Sequence, residues 1–287
     1  MKRAELESVA AVVQRLAVLL AAGVAPASAW GYVDEEVAAV ARRGEPITAT
    51  LAARTDAWRG LAAAWQVATE AGAPLAPALR TFAASLRSLA QAGREVDTAL
   101  AGPVATARMV MVLPVVGVLF GMVLGFNTLA TLFTTVPGLV CLATGAALML
   151  IAHRWNRRLV ARARPRDLTP GIRCELLAIA LGGGVSIERA TASVDAALAA
   201  SGVATDENAA VDAVLSLSRS AGVPAAELLR AEAEECRREA SARALEAASV
   251  LAVRLMLPLG LCILPAFMLV GVAPLLLAVI SSTVSTF

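Results

Sequence analysis

The sequence predicts an all-α integral membrane protein with two repeated cytoplasmic helical-bundle modules and three transmembrane helices. Three observations predict it. Residues 109–152 form a run of 44 without Asp, Glu, Lys or Arg, and Leu255 to Phe287 form another of 33. Ala71-Gly72-Ala73-Pro74 to Leu79-Arg80 spells the same phrase as Ala221-Gly222-Val223-Pro224 to Leu229-Arg230, A-G-x-P-x4-L-R at an offset of 150. The polar segments show helical periodicity and no β-type alternation. A composition that is 58% hydrophobic and 17% charged, with mean hydropathy +0.71, excludes an ordinary soluble protein.

Each uncharged run follows one copy of the phrase and contains a Leu-Pro step, Leu113-Pro114 in one and Leu257-Pro258 in the other. A span takes about 20 apolar residues, so 109–152 holds two spans. Their external turn falls within Asn127 to Gly138, where Asn, Thr, Pro and Gly collect. The C-terminal run is one long span with an apolar tail. The domains are therefore 1–108, 109–152, 153–250 and 251–287: module, two spans, module, third span with a short external tail.

Orientation follows from the basic residues. Arg154, Arg157, Arg158, Arg162, Arg164 and Arg166 follow the second span with only Asp167 against them. The positive-inside rule puts this segment in the cytoplasm, with anionic headgroups of membrane lipids as its partner. Both modules are then cytoplasmic, and the C-terminus is extracytoplasmic. A net charge of +2 gives no nucleic-acid footprint.

Residues 1–30 imitate a secretory signal, with Lys2-Arg3, an apolar stretch and Ala27-Ser28-Ala29. Glu5, Glu7 and Arg15 interrupt that pattern. The segment also has an internal echo at an offset of 161. Leu16-Ala17, Leu20, Gly23-Val24 and Ala29 match Leu177-Ala178, Leu181, Gly184-Val185 and Ala190. Both copies read as a helix, a Gly-Val break and a second helix. In the first, Val9, Val12, Val13, Leu16, Leu19 and Leu20 make one buried stripe.

Further helices run from Trp58 to Ala71 and onward from Pro74; their counterparts are 209–221 and the segment from Pro224. Pro224 to Pro258 holds no interior Gly or Pro, about 50 Å of helix. Glu234 with Arg238 and Glu239 with Arg243 have the favourable i,i+4 order. Arg80, Arg87 and Arg94 share a heptad spacing, and Arg230 and Arg237 repeat the first two. Snorkelling or salt bridges account for such arginines. Their recurrence in both modules makes Arg80, Arg87, Arg230 and Arg237, with the adjacent Glu234 and Glu235, candidate partner-docking residues.

Catalytic chemistry is not signalled. His153 is the only histidine, too few for a metal set or a His-based triad. No Walker-type phosphate loop is present, and Gly182-Gly183-Gly184 has no preceding strand or adjacent lysine. The four cysteines form no CxxC and no oxidising framework. No catalytic residue, cofactor or metal is expected, and the protein reads as a non-enzyme.

The helix–Gly-Val–helix echo and the A-G-x-P-x4-L-R pair resemble the inner-membrane platform (F-domain) family of type II secretion and type IV pilus machines. The chain is most similar to the tight-adherence (Tad) pilus branch, as a fused version of its paired single-module proteins TadB and TadC. The resemblance implies an assembly scaffold in the bacterial inner membrane. It would couple a separate cytoplasmic hexameric ATPase to pilin extraction and filament assembly. It also implies a homo-oligomer, dimer or trimer. Gly117, Gly121 and Gly125, at four-residue spacing, suit close helix packing within a chain or between chains. The alternative is a permease subunit of an ATPase-driven transporter, which the absence of intramembrane charge disfavours. A membrane-anchored signalling adaptor would need no duplication.

Overall fold

A computed structural model describes residues 2–123, 133, 135–163, 170–204, 208–274 and 276. Among these the chain is helical and no strand occurs. Five helices precede the first long apolar segment: α1 (Lys2–Ala21), α2 (Pro26–Gly31), α3 (Glu35–Arg42), α4 (Ile47–Ala52) and α5 (Asp56–Glu70). Two long ones follow, α6 (Leu75–Val123) and α7 (Val136–Ala163). Then come α8 (Ile172–Gly182), α9 (Ile187–Ser201), α10 (Asn208–Ala221) and α11 (Ala225–Arg254).

The breaks fall where the sequence places Gly and Pro. Gly23, Gly184, Gly72 and Gly222, the paired glycines of the two echoes, all have φ between +65° and +86°. That left-handed conformation closes a helix C-terminus at no steric cost only for glycine. Asp34 caps α3 by accepting from Val37 N, and Ser186 caps α9 by accepting from Arg189 N.

The chain divides into two compact units. Unit 1 comprises residues 1–95 and 166–243. Its core takes side chains from both polar segments: Leu16, Trp30, Leu51, Leu61, Leu79 and Leu86 from one, Leu176, Leu177 and Leu229 from the other. Each contributes about 1.5–3 kcal/mol by leaving water. Helix α5 lies against α4, α8 and α9.

Unit 2 comprises residues 96–165 and 244–287. Val96, Leu100, Ala244, Ala248, Leu251 and Leu255 form a small cluster, with Leu159 and Val160 packed on it. Helix α6 bends by 41° between Gly102 and Val104. Pro103 lies at the break and offers no amide hydrogen to the helix ladder. Two helices, Val136–Val160 and Ala225–Val272, are long and apolar enough to cross a membrane, and the bent pair Leu75–Gly102 and Val104–Phe120 makes up to three.

The last apolar segment alternates α and π turns: Met256–Pro258, Leu259–Ile263 (π), Leu264–Phe267 and Met268–Val272 (π). Pro258 and Pro265 interrupt the regular ladder, which widened turns accommodate. A Cβ on Gly117 would lie 3.1 Å from the Gly271 Cα, and one on Gly145 would overlap the Val270 side chain. Gly117 thus serves packing within one chain. Gly125 and the turn residues 127–132 and 134 lie outside the described residues, as do Arg164, Arg166, Asp167 and the tail from 277. Thr135 Oγ1 accepts from Gly138 N at 3.2 Å as α7 begins.

Candidate functional site

The most deeply buried charge in unit 1 sits on α8, a helix apolar at almost every position. Glu175 is its one acid, placed in the first turn, and its side chain is 5% exposed. A carboxylate there needs a cation and hydrogen-bond donors to offset lost hydration. Arg237 of α11 supplies the first: Nη1 lies 2.9 Å from Glu175 Oε2, with the arginine side chain 12% exposed. Ser85 of α6 supplies the second, its hydroxyl 2.8 Å from the same oxygen. Ser85 Oγ is also 3.1 Å from the Thr81 carbonyl, so two acceptors compete for its single proton.

Backbone geometry brings these helices close. Gly171, with φ +78°, lies so near α11 that a Cβ would stand 2.9 Å from the Ala233 Cα. The positive end of the α8 dipole faces its own first turn, which favours the Glu175 charge. Arg173 on the same helix pairs with Asp195 of α9 at 2.6 Å. At the other end of α8, a Cβ on Gly183 would overlap the Ala71 carbonyl oxygen and stand 3.1 Å from Ala73 N. The Gly182-Gly183-Gly184 turn therefore packs on the turn of the first A-G-x-P phrase.

A second charged group lies in the first segment. Arg54 reaches Asp34 Oδ2 at 2.6 Å and Glu36 Oε2 at 2.6 Å, with its guanidinium 4.7 Å from the Trp58 ring centre. The Arg54 hydrogen bond, partly opposed by burial, holds the Asp34 carboxyl below the ordinary carboxylate range.

The six candidate docking residues have different surroundings. Arg80, Arg87, Arg230, Glu234 and Glu235 are exposed, whereas Arg237 is committed to Glu175. Glu235 pairs with Arg238 at 2.7 Å, in place of the Glu234–Arg238 pair read from sequence, and Glu239 with Arg243 at 2.9 Å as read. Arg94, third in the heptad series, pairs with Glu7. Sequence reasoning missed Glu175 and Ser85. The available signal was a lone acid in an apolar helix, which must find a cation. Among the described residues no group of three His, Cys, Asp or Glu is placed to hold a metal ion.

The class these features define, among the described residues, is an all-helical protein with two to three helices long and apolar enough to cross a membrane, whose polar unit is organised around packing and ion pairs. Comparison with known families goes one step further. Residues 12–123 match the family model of the type II secretion system (T2SS), protein F. The match covers less than half of the chain. No curated protein and no solved structure matches the chain.

Proposed function

We propose that this protein is an inner-membrane platform of a Tad or other type IV-like pilus, or of a type II secretion machine. It couples a separate cytoplasmic ATPase to pilin extraction and filament assembly, and it is not itself an enzyme. The observation that carries this reading is the protein F match over residues 12–123, in a helical chain with two to three candidate spans. The Tad branch rests on the fused-pair resemblance.

The shared core of unit 1 supports the proposed topology. Residues 1–95 and 166–243 bury side chains together, as an even number of membrane crossings between them would allow. Two spans within 109–152 meet that condition, with both polar segments cytoplasmic and the C-terminus outside. The exposed residues Arg80, Arg87, Arg230, Glu234 and Glu235 are the positions we assign to contact with the ATPase.

Deletion of the gene tests the reading: surface filaments should disappear while the pilin is still made. Normal piliation with the pilin genes expressed overturns it. A reporter fused after Phe287 should score as extracytoplasmic.

A further inference from the structure

Two small apolar clusters in unit 2 fix which residues of its three helical segments stand at one level. In one, Val110 and Met111 of α6 pack with Ala152 of α7 and with Cys262 and Ile263 of the last apolar segment. In the other, Val104 of α6 and Leu159 of α7 pack with Leu251 and Leu255. A belt lies between the clusters, and the step from Ala152 to Leu159 makes it about 10 Å tall at helical rise. Arg108 of α6 and Arg154, Arg157 and Arg158 of α7 fall inside the belt, and Arg254 of α11 stands at its edge.

All five arginines are exposed, and none makes an ion pair among the described residues. The unit has few acids to offer them, since Asp and Glu are absent from 98–166 and from 247–287. Arg154, Arg157 and Arg158 share one face of α7 by their i, i+3 and i+4 spacing. That face is opposite the one that packs Ala152 and Leu159.

The exposed apolar surface changes at the same belt. On α6 its large side chains begin at Met109, one residue beyond Arg108. On α7 they close with Leu150, Ile151 and Trp155, the last flanked by Arg154 and Arg157. The third helix is less sharply divided, with Val250 and Val253 exposed before Arg254 and Met256 and Leu257 after it. Tryptophan favours the level where acyl chains meet headgroups. An arginine beside it lays its aliphatic stem along apolar surface and carries its charge outward. Its planar fork then pairs with phosphate oxygens two at a time.

We propose that this belt selects anionic phospholipids, with Arg154, Arg157 and Arg158 holding the headgroup phosphates beside Trp155 and with Arg108 and Arg254 adding charge at the same level. The basic run after the second span marks only one segment of the chain for headgroups. Packing brings arginines of two further helices to that level, which no spacing within a helix conveys. The occupant is a lipid and not free phosphate, because the unpaired charges border an exposed apolar surface that acyl chains would cover. The inference rests on the membrane-spanning reading of unit 2 and is independent of the secretion reading.

The test uses the full chain reconstituted in vesicles of phosphatidylglycerol and phosphatidylcholine. One lipid at a time carries brominated acyl chains, which quench nearby tryptophan. Fluorescence lost in wild type but not in Trp155→Phe reports the lipid beside Trp155. Both leaflets hold the same mixture, so orientation does not enter. Brominated phosphatidylglycerol should quench Trp155 beyond its share of the mixture, and brominated phosphatidylcholine less. Arg154→Gln, Arg157→Gln and Arg158→Gln together should bring the two lipids close to parity, whereas Lys at the three positions should keep the preference. Arg108→Gln or Arg254→Gln should each lower it by up to about fivefold. The preference should persist when chloride is exchanged for inorganic phosphate at equal ionic strength. Equal quenching by both lipids in wild type, or a preference that the triple Gln variant leaves unchanged, overturns the proposal. So does a preference lost in the Lys variant, which would trace it to packing, or lost to inorganic phosphate, which would make free phosphate the occupant. Quenching of Trp155 by neither lipid overturns it together with the membrane-spanning reading.

Discussion

Helix α8 is buried at every position from Ile172 to Ala180 except Arg173, whereas α1, its sequence echo, leaves one whole face in solvent. The same holds one level up. Arg237 lies against Glu175, while Arg87, at the matching place in the first copy, is exposed. The two segments also differ in the residue that echoes the acid. The echo of Glu175 is Gln14, which carries no charge for Arg87 to neutralise. The echoing segments are both helical, but the faces they bury differ.

The widest separation between the copies should come from that arginine pair. Arg237→Ala leaves a carboxylate that is 5% exposed without its cation. Breaking a buried pair from one side costs about 3–5 kcal/mol. Arg87→Ala removes an exposed side chain with no such partner and should stay within about 0.5 kcal/mol. Thermal unfolding of the solubilised chain, followed by far-UV circular dichroism, compares the two directly. Equal shifts in Tm would mean that the Glu175–Arg237 pair contributes no more than a surface residue does.

Gly183 and its echo Ala22 give the next largest contrast. Gly183→Ala forces a methyl group into the Ala71–Ala73 turn, where backbone and not a flexible side chain is in the way. Overpacking of that kind costs about 1–3 kcal/mol. Ala22→Gly, at the exposed end of α1, should cost at most about 1 kcal/mol through added chain freedom. The same melting experiment reads both. If Gly183→Ala is neutral, the two turns are not held as close as the structure places them.

These pairs also show what the sequence could and could not convey. Helix ends were legible because Gly23, Gly72, Gly184 and Gly222 answer to local steric rules that need no knowledge of neighbours. The apolar runs were legible because length and charge suffice to mark a candidate span. The common core of residues 1–95 and 166–243 was not. The contacts that make it, Ser85 with Glu175 and Gly183 with Ala71, join residues far apart in sequence. Periodicity within a helix carries no information about such partners. Nor could spacing separate Arg87 from Arg237, since their motif positions are identical and the pairing of Arg237 with Glu175 joins residues far apart in sequence.

The smallest contrast concerns Asp34 and its echo Asp195. In the second copy the helix is unbroken, α9 running from Ile187 to Ser201, and Asp195 pairs with Arg173 from a side chain that is 51% exposed. In the first copy the helix breaks between α2 and α3, and Asp34 caps the second piece while pairing with Arg54 from a side chain that is 18% exposed. Asn retains the capping oxygen, so Asp34→Asn isolates the charge. At neutral pH the change should cost up to about 1 kcal/mol, and Asp195→Asn less than about 0.5 kcal/mol. The Arg54 hydrogen bond lowers the Asp34 carboxyl in the folded state. Its contribution is thus fully present above the unfolded value of about 3.9 and fades as pH falls through the lowered folded value. Wild type and Asp34→Asn should differ by a constant amount above about pH 5 and converge below about pH 4. A difference that persists unchanged into that acid range would mean that the Asp34 charge is not its source.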